Sequence, residues 1–291
     1  MKKYCILLFI FINAFFLISC NEVLVSVNAD QVERINVEPN TFITRINSEI
    51  NNFEVIDGIL YGSGVNNHGQ LSTGEVDDLS KEYEPLIIAE QVKHIDFNGE
   101  TLIYITEDNE LFGVGLNHRG QIGQDIGVND NSRYAYNSIP EPVKILENVS
   151  FAALGQAHII ILKEDGSVWA IGDNTNGQLG NKKEWVNNFS SPDSYSKMPV
   201  HVMDNVVSIA AKQYNSAAIS REGVLYLWGD NSYGQIGNGK SGNGKPTISD
   251  CVSTLPEIIK TSITDFYFSV DGQGTLNCYA YSEKNKQEYR W

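Results

Sequence analysis

An all-β fold made of stacked, near-identical units is what this 291-residue sequence predicts, and three observations lead there. One is a recurring segment: LYGSGVNNHGQLS from Leu60, LFGVGLNHRGQIG from Leu111, VWAIGDNTNGQLG from Val168 and LYLWGDNSYGQIG from Leu225. Another is a period. Pro85, Pro142, Pro199 and Pro256 stand 57 residues apart, with Val92, Val149, Val206 and Ile263 in the same register behind them. The last is the β-prone character of the runs ahead of each copy: Thr101 to Ile105, His158 to Leu162 and Ser216 to Ile219. Self-similarity at a fixed period is the mark of a repeat architecture.

Each element of the unit has a local reason. The β-prone run forms one strand. Asp57-Gly58, Asp108-Asn109, Asp165-Gly166 or Glu222-Gly223 follows it and supplies positive-φ residues for a tight hairpin. An apolar-aromatic strand comes next and ends on Gly64, Gly115, Gly172 or Gly229. Two residues on stand Asn66, Asn117, Asn174 and Asn231, then Gly69, Gly120, Gly177 and Gly234, each followed by Gln70, Gln121, Gln178 or Gln235. Asn followed three residues later by Gly fits a type I turn. Strand, turn, strand, turn is a β-meander.

Length varies in one place. From Gln to the next Pro is 15 residues in the first copy and 21 in the later three. A frame that holds while one loop changes is how stacked blades or coils behave, with insertions gathered on one face.

The pattern of Pro, Val and Ile, the Gly155-x-x-His158 pair, Asp-Gly-x-Val-Trp and Gly-x-Asn-x-x-Gly-Gln-Leu-Gly resembles the regulator of chromosome condensation repeat family over roughly Thr41 to Trp291. Ser72 replaces the final Gly of the first copy, and only the third copy keeps the full Gly-x-x-His. The resemblance implies a β-propeller, which in that family usually has seven four-stranded blades. About five units fit here, near 41–90, 91–147, 148–204, 205–261 and a partial 262–291, so the expected ring is incomplete or unclosed. It is a truncated member, a fragment, or a ring that another copy completes. Open blade edges invite self-association. Family activities include nucleotide exchange on a small GTPase and, in a secreted bacterial relative, β-lactamase inhibition; no residues here match either site.

Ahead of the repeats, Lys2 and Lys3 precede an apolar run from Ile6 to Ile18, and Leu17-Ile-Ser-Cys20 closes it. A basic start, a short apolar core and small residues before a cut describe an export signal. The last four residues resemble a bacterial lipoprotein box, giving a signal peptide at 1–19, acylation at Cys20 and a polar tether at 20–40. An ordinary signal cut near Ala29 is the alternative. Both place the chain outside the cytoplasm, membrane-anchored in the first case and secreted in the second.

Charge narrows the partners. Losing Lys2 and Lys3 with the signal leaves 19 basic residues against 36 acidic ones, a net of −17. That balance repels phosphate backbones, so no nucleic-acid partner is expected. Cys251 and Cys278 sit in neighbouring units, and sequence leaves open whether they pair or stay as thiols. His68, His94, His118, His158 and His201 share no repeat position, and no Cys/His spacing resembles a metal site. Gly239 to Pro246 imitates a phosphate loop, but Pro246 stands where Ser or Thr would bind magnesium. No cofactor, metal or catalytic residue is expected.

The Asn-x-x-Gly-Gln sites read as structural, each amide satisfying backbone groups between strands or blades. Phe112, Trp169 and Tyr226 share one register position and read as packing residues. Candidate partner-binding loops are 124–139, 181–197 and 238–255, with Tyr134, Tyr136, Trp185, Phe189 and Tyr195 as anchors. The expected function is a protein-interaction module. Alternatives are a cell-surface polysaccharide-binding or polysaccharide-active protein and, from the resemblance alone, guanine-nucleotide exchange.

Overall fold

The computed structural model describes strands at 18–19, 22–23 and 33–36 and residues 44–123, 137–181, 194–241 and 252–291 apart from 273. Among these residues the regular structure is β, with no α-helix. Ile18–Ser19 (β1) and Glu22–Val23 (β2) pair with each other. Glu33–Asn36 is β3.

Four meanders follow in strict chain order. The first sheet is Arg45–Asn47 (β4), Asn51–Ile56 (β5), Ile59–Val65 (β6) and Glu82–Ala89 (β7). The second is Val92–Phe97 (β8), Thr101–Thr106 (β9), Leu111–Leu116 (β10) and Ser138–Leu146 (β11). The third is Val149–Leu154 (β12), His158–Lys163 (β13), Val168–Asp173 (β14) and Tyr195–Met203 (β15). The fourth is Val206–Lys212 (β16), Asn215–Ser220 (β17), Leu225–Asp230 (β18) and Val252–Lys260 (β19). The fifth holds Asp265–Val270 (β20), Leu276–Ser282 (β21) and Gln287–Arg290 (β22), and its remaining strand is β3, antiparallel to β20 with Phe266 opposite Ile35. All pairings are antiparallel, and no sheet closes on itself.

The sheets stack face to face, and the cores lie between them. Phe53 and Leu60 of the first sheet pack with Leu102 and Tyr104 of the second. Ile103 and Ile105, on the other face of β9, pack with Ile159 and Ile161. Ile160 and Leu162 meet Ala218 and Trp228, while Ala217 and Ile219 meet Phe266, Phe268 and Cys278. Middle strands therefore bury both faces, which is why β9, β13 and β17 are continuous apolar or small-residue runs. The end sheets alternate instead. In β5, Asn52 is exposed beside buried Phe53, and in β21 only Leu276, Cys278, Ala280 and Ser282 are buried.

The 57-residue frame has a hydrogen-bond cause. A hairpin carbonyl of each of the first four sheets accepts an N–H at the start of the next unit: Gly58 from Val92, Asn109 from Val149, Gly166 from Val206 and Gly223 from Ile263, two residues ahead of β20, at 2.8–3.0 Å. Asp57 and Gly58 both take positive φ, the two-residue hairpin form. The later hairpins differ, with a single positive-φ residue at Asn109, Gly166 or Gly223 after a turn closed by the N–H three residues on. Pro85, Pro142, Pro199 and Pro256 lie in β7, β11, β15 and β19, the sheet-edge strands, where a missing N–H costs no ladder bond and discourages further pairing.

Candidate interaction face

Strand alternation divides the connections between two ends. Links from the second to the third strand of a sheet, and from one sheet to the next, are short and lie at one end. Links from the third strand to the fourth leave the opposite end and are the longest: 66–81, 117–137, 174–194 and 231–251. Of the anchors expected in these links, Tyr134, Tyr136, Trp185 and Phe189 lie outside the described residues. Cys20 and Cys251 do as well. Tyr195 opens β15, half-buried, with the Lys197 ammonium 5.8 Å from its ring centre.

The stems of these links are built alike. Gly64, Gly115, Gly172 and Gly229 each take φ between 103° and 112° at a register shift in the ladder to the fourth strand. A Cβ at Gly229 would sit 2.2 Å from the Tyr214 carbonyl oxygen, so the bulge needs glycine. Beyond it, the N–H groups of Gly69, Gly120, Gly177 and Gly234 bond to the carbonyls of Asn66, Asn117, Asn174 and Asn231 at 3.0–3.1 Å. Each Asn Oδ1 accepts the N–H five residues on, from Leu71, Ile122, Leu179 or Ile236, at 2.8–3.0 Å.

The four Gln side chains bond within their own sheets, to the turn and to neighbouring strands. Gln178 Nε2 donates to Asp173 Oδ2 and Gln235 Nε2 to Asp230 Oδ2, both at 2.8 Å. Gln121 Nε2 donates to the Leu116 carbonyl at 2.8 Å, and Gln70 Nε2 to Asn67 Oδ1 at 3.1 Å. Gln70 Nε2 also donates to Asn51 Oδ1 at 3.3 Å and Gln121 Nε2 to Thr101 Oγ1 at 3.4 Å, on neighbouring strands, while in the third and fourth copies the Gln main-chain carbonyl crosses to the next sheet. Gln178 O accepts from Ser216 Oγ at 2.8 Å and Trp228 Nε1 at 2.9 Å. Gln235 O accepts from Cys278 Sγ and Trp291 Nε1, both at 3.0 Å. Trp291 thus repeats the role of Trp228 one unit later, and Cys278 is a buried free thiol.

Phe112, Trp169 and Tyr226 are half-buried against three successive cores. The histidines separate by environment. His158 is buried over Gly155, where a Cβ would lie 2.0 Å from its ring, with Nε2 3.0 Å from Ser216 Oγ. Burial pushes its pKa down to about 3 and that of His94 down to about 4. His68 is lowered by burial and by nearby His118. His201 meets Asp204 at 2.9 Å at the far end. Among the described residues no three His, Cys, Asp or Glu side chains gather to hold a metal ion, and no helix is long and apolar enough to cross a membrane.

Sequence reasoning about the loops passed over two residues. Tyr233, inside the Asn231-to-Gln235 turn, is 73% exposed, and Tyr214, in the turn before β17, is 40% exposed. The available signal was that Tyr233 occupies the variable second position of an otherwise constant turn.

Five antiparallel four-stranded sheets packed face to face, four of them carrying the same turn, define a β-propeller repeat protein. Residues 149–178 and 206–235 match one description of the regulator of chromosome condensation (RCC1) repeat, and 165–219 match another. Over residues 149–235 the chain is thus similar to the RCC1-repeat family. It is 34% identical to the human X-linked retinitis pigmentosa GTPase regulator over 152 residues, 50% of this chain and 13% of that one. Against the mouse probable E3 ubiquitin-protein ligase HERC4 it is 28% identical over 190 residues, 62% of this chain and 17% of that protein. The chain thus spans a small part of these relatives' length. In structure it resembles Prp20p of Saccharomyces cerevisiae, with TM-score 0.59 and 19% identity, over 83% of this chain and 54% of that one. Human WBSCR16 gives a TM-score of 0.55 at 18% identity, over 77% and 54%. These last two likenesses concern the fold.

Proposed function

We propose that this chain is an exported, lipid-anchored β-propeller that binds a protein partner through the loop-bearing end of its sheets, without catalysis of its own. The observation that carries the reading is that the four longest links all leave one end, on stems fixed by the Asn, Gly and Gln brackets. Variable segments on a rigid frame are how binding surfaces are built. Prp20p, which shares the fold, is described as binding Gsp1p and histones, so proteins are the partner class to test. The net of −17 argues against a nucleic-acid ligand. Export and anchoring rest on the leader and on Cys20.

Cross-linking on intact cells followed by pull-down of the full chain tests the binding reading. A specific protein should be recovered, and Trp185→Ala or Tyr134→Ala should reduce its yield. No specific protein above background would overturn it. For the anchor, mass spectrometry should find acylated Cys20, and Cys20→Ala should release the chain from the membrane fraction; an unmodified Cys20 in retained chain would refute it. The exposed rings of Tyr214 and Tyr233 also suit sugar stacking, which supports a polysaccharide ligand as the second reading. Binding of wall glycans that tracks these rings would favour it.

A further inference from the structure

In the second, third and fourth sheets one face looks back at the preceding sheet. Phe112, Trp169 and Tyr226 mark that face by packing into the core shared with the neighbour. Tyr61 holds the same register in the first sheet, opposite Glu54 of β5 and Ile87 of β7, as Phe112 lies opposite Tyr104 and Lys144. No described sheet stands in front of it, because β3 belongs to the fifth sheet and β1 pairs with β2. Part of this outer face is adapted to water. Asn52 and Glu54 stand where β9 has Leu102 and Tyr104 and where β13 has Ile159 and Ile161. The hairpin mouth goes the other way. Ile56 faces Ile59 there, whereas Thr106 faces Glu110, Lys163 faces Ser167 and Ser220 faces Val224 in the next three sheets. Ile56 is 49% exposed and Ile87 59%. Aliphatic side chains gathered in water on one face mark a contact surface.

We propose that this face is an isologous interface, on which a second copy of the chain packs through Ile56, Ile59, Tyr61 and Ile87. In every internal contact the ring at the Tyr61 register is covered by a sheet of the same repeat, so a sheet of this kind fits it by shape. The charges on the face also cancel, since Arg45 and Glu54 form its ion pair in a chain whose net charge is −15. Asp57 and Glu90 lie beyond the strand ends, at the rim. A two-fold arrangement lets the Arg45 of each copy pair with the Glu54 of the other, which makes the face self-complementary. The fifth sheet offers no matching half. The outer face of β20 to β22 carries Tyr267, Tyr279, Tyr281, Arg290, Asp265 and Glu288, with no aliphatic side chain. Its rings are already engaged, Tyr267 on Tyr279 at 4.6 Å and Arg290 at 5.3 Å from the Tyr279 ring. Two first sheets face to face are therefore favoured over a head-to-tail chain of copies. The contact is independent of the loop-bearing end and of the partner proposed for it.

Sedimentation velocity of the full chain over a concentration series tests this. The unaltered chain should pass from monomer to dimer, with no larger species. I56D and I87D should each weaken the dimer by about tenfold, with the melting temperature unchanged, because both side chains are exposed. R45E puts two carboxylates on the face and E54R two guanidinium groups, so neither variant should dimerise alone. An equimolar mixture of the two should associate, which a pair confined to one copy would not produce. A monomer at every concentration overturns the proposal, as does a dimer that I56D and I87D leave intact or a mixture that stays monomeric. Growth beyond a dimer would show edge or head-to-tail pairing and overturn it too. Pull-down of a loop-bound protein has no bearing on these outcomes, so the two readings fail separately.

Discussion

Ser72 shows what one residue costs when it departs from its repeat. It takes φ 59° where Gly123, Gly180 and Gly237 stand in the other copies. A side chain in the left-handed region carries a penalty, so Ser72→Gly should stabilise the protein by roughly 1 kcal/mol, read from denaturant midpoints. No shift would mean that the site tolerates Ser freely. His94 and His158 make a second case. Their folded pKa values, about 4 and about 3, lie below the ordinary 6.5, so the fold favours the neutral rings. Their contribution is present in full above about 6.5 and is lost as pH falls towards 4 and 3. Unfolding free energy should drop by up to roughly 1.4 kcal/mol per pH unit for each ring below pH 6.5. A His94→Gln/His158→Gln pair should flatten that slope; an unchanged slope would show that other groups carry it.

At the level of the strand and its turn, packing explains what motifs could not. The constant Gln was expected to bond between strands or blades; its amide bonds inside its own sheet, reaching Asn51 and Thr101 in the first two copies, and the carbonyls of Gln178 and Gln235 make the crossing to the next sheet. Trp228 is fully buried on Gly180, and Trp291 takes the same place on Gly237. Trp228→Ala should cost about 3–5 kcal/mol by opening a cavity between the third and fourth sheets. Trp291→Ala should loosen the fifth sheet alone, seen as faster amide exchange over 265–290. Exchange spread evenly over all sheets would contradict separate interfaces. The sheet-edge prolines suggest a third measurement. Pro199→Val with Pro256→Val restores edge donors and should increase self-association in sedimentation; a monomer at every concentration would argue that the prolines serve the turn geometry only.

Across the whole molecule there is no single centre. Four apolar clusters lie between five sheets, so stability is a sum of neighbour terms. Protection against amide exchange should be highest in the second to fourth sheets, buried on both faces, and lower in the first and fifth. A single uniform opening energy would show that the stack unfolds as one unit.

Much of this was legible beforehand because a repeat writes its geometry several times over. The alternation of β-prone runs with Asp-Gly and Asn-x-x-Gly-Gln turns determined the meander, the 57-residue step and the end from which the variable loops leave, since local turn chemistry and strand period need no distant partner. Only the tertiary structure decided which carbonyl spans two sheets, that β3 from the chain's start joins the fifth sheet, and that Tyr233 stands in solvent while Trp228 is enclosed. Those outcomes depend on which surfaces meet when sheets stack, and pairing across many residues leaves no trace in the order of side chains along the chain.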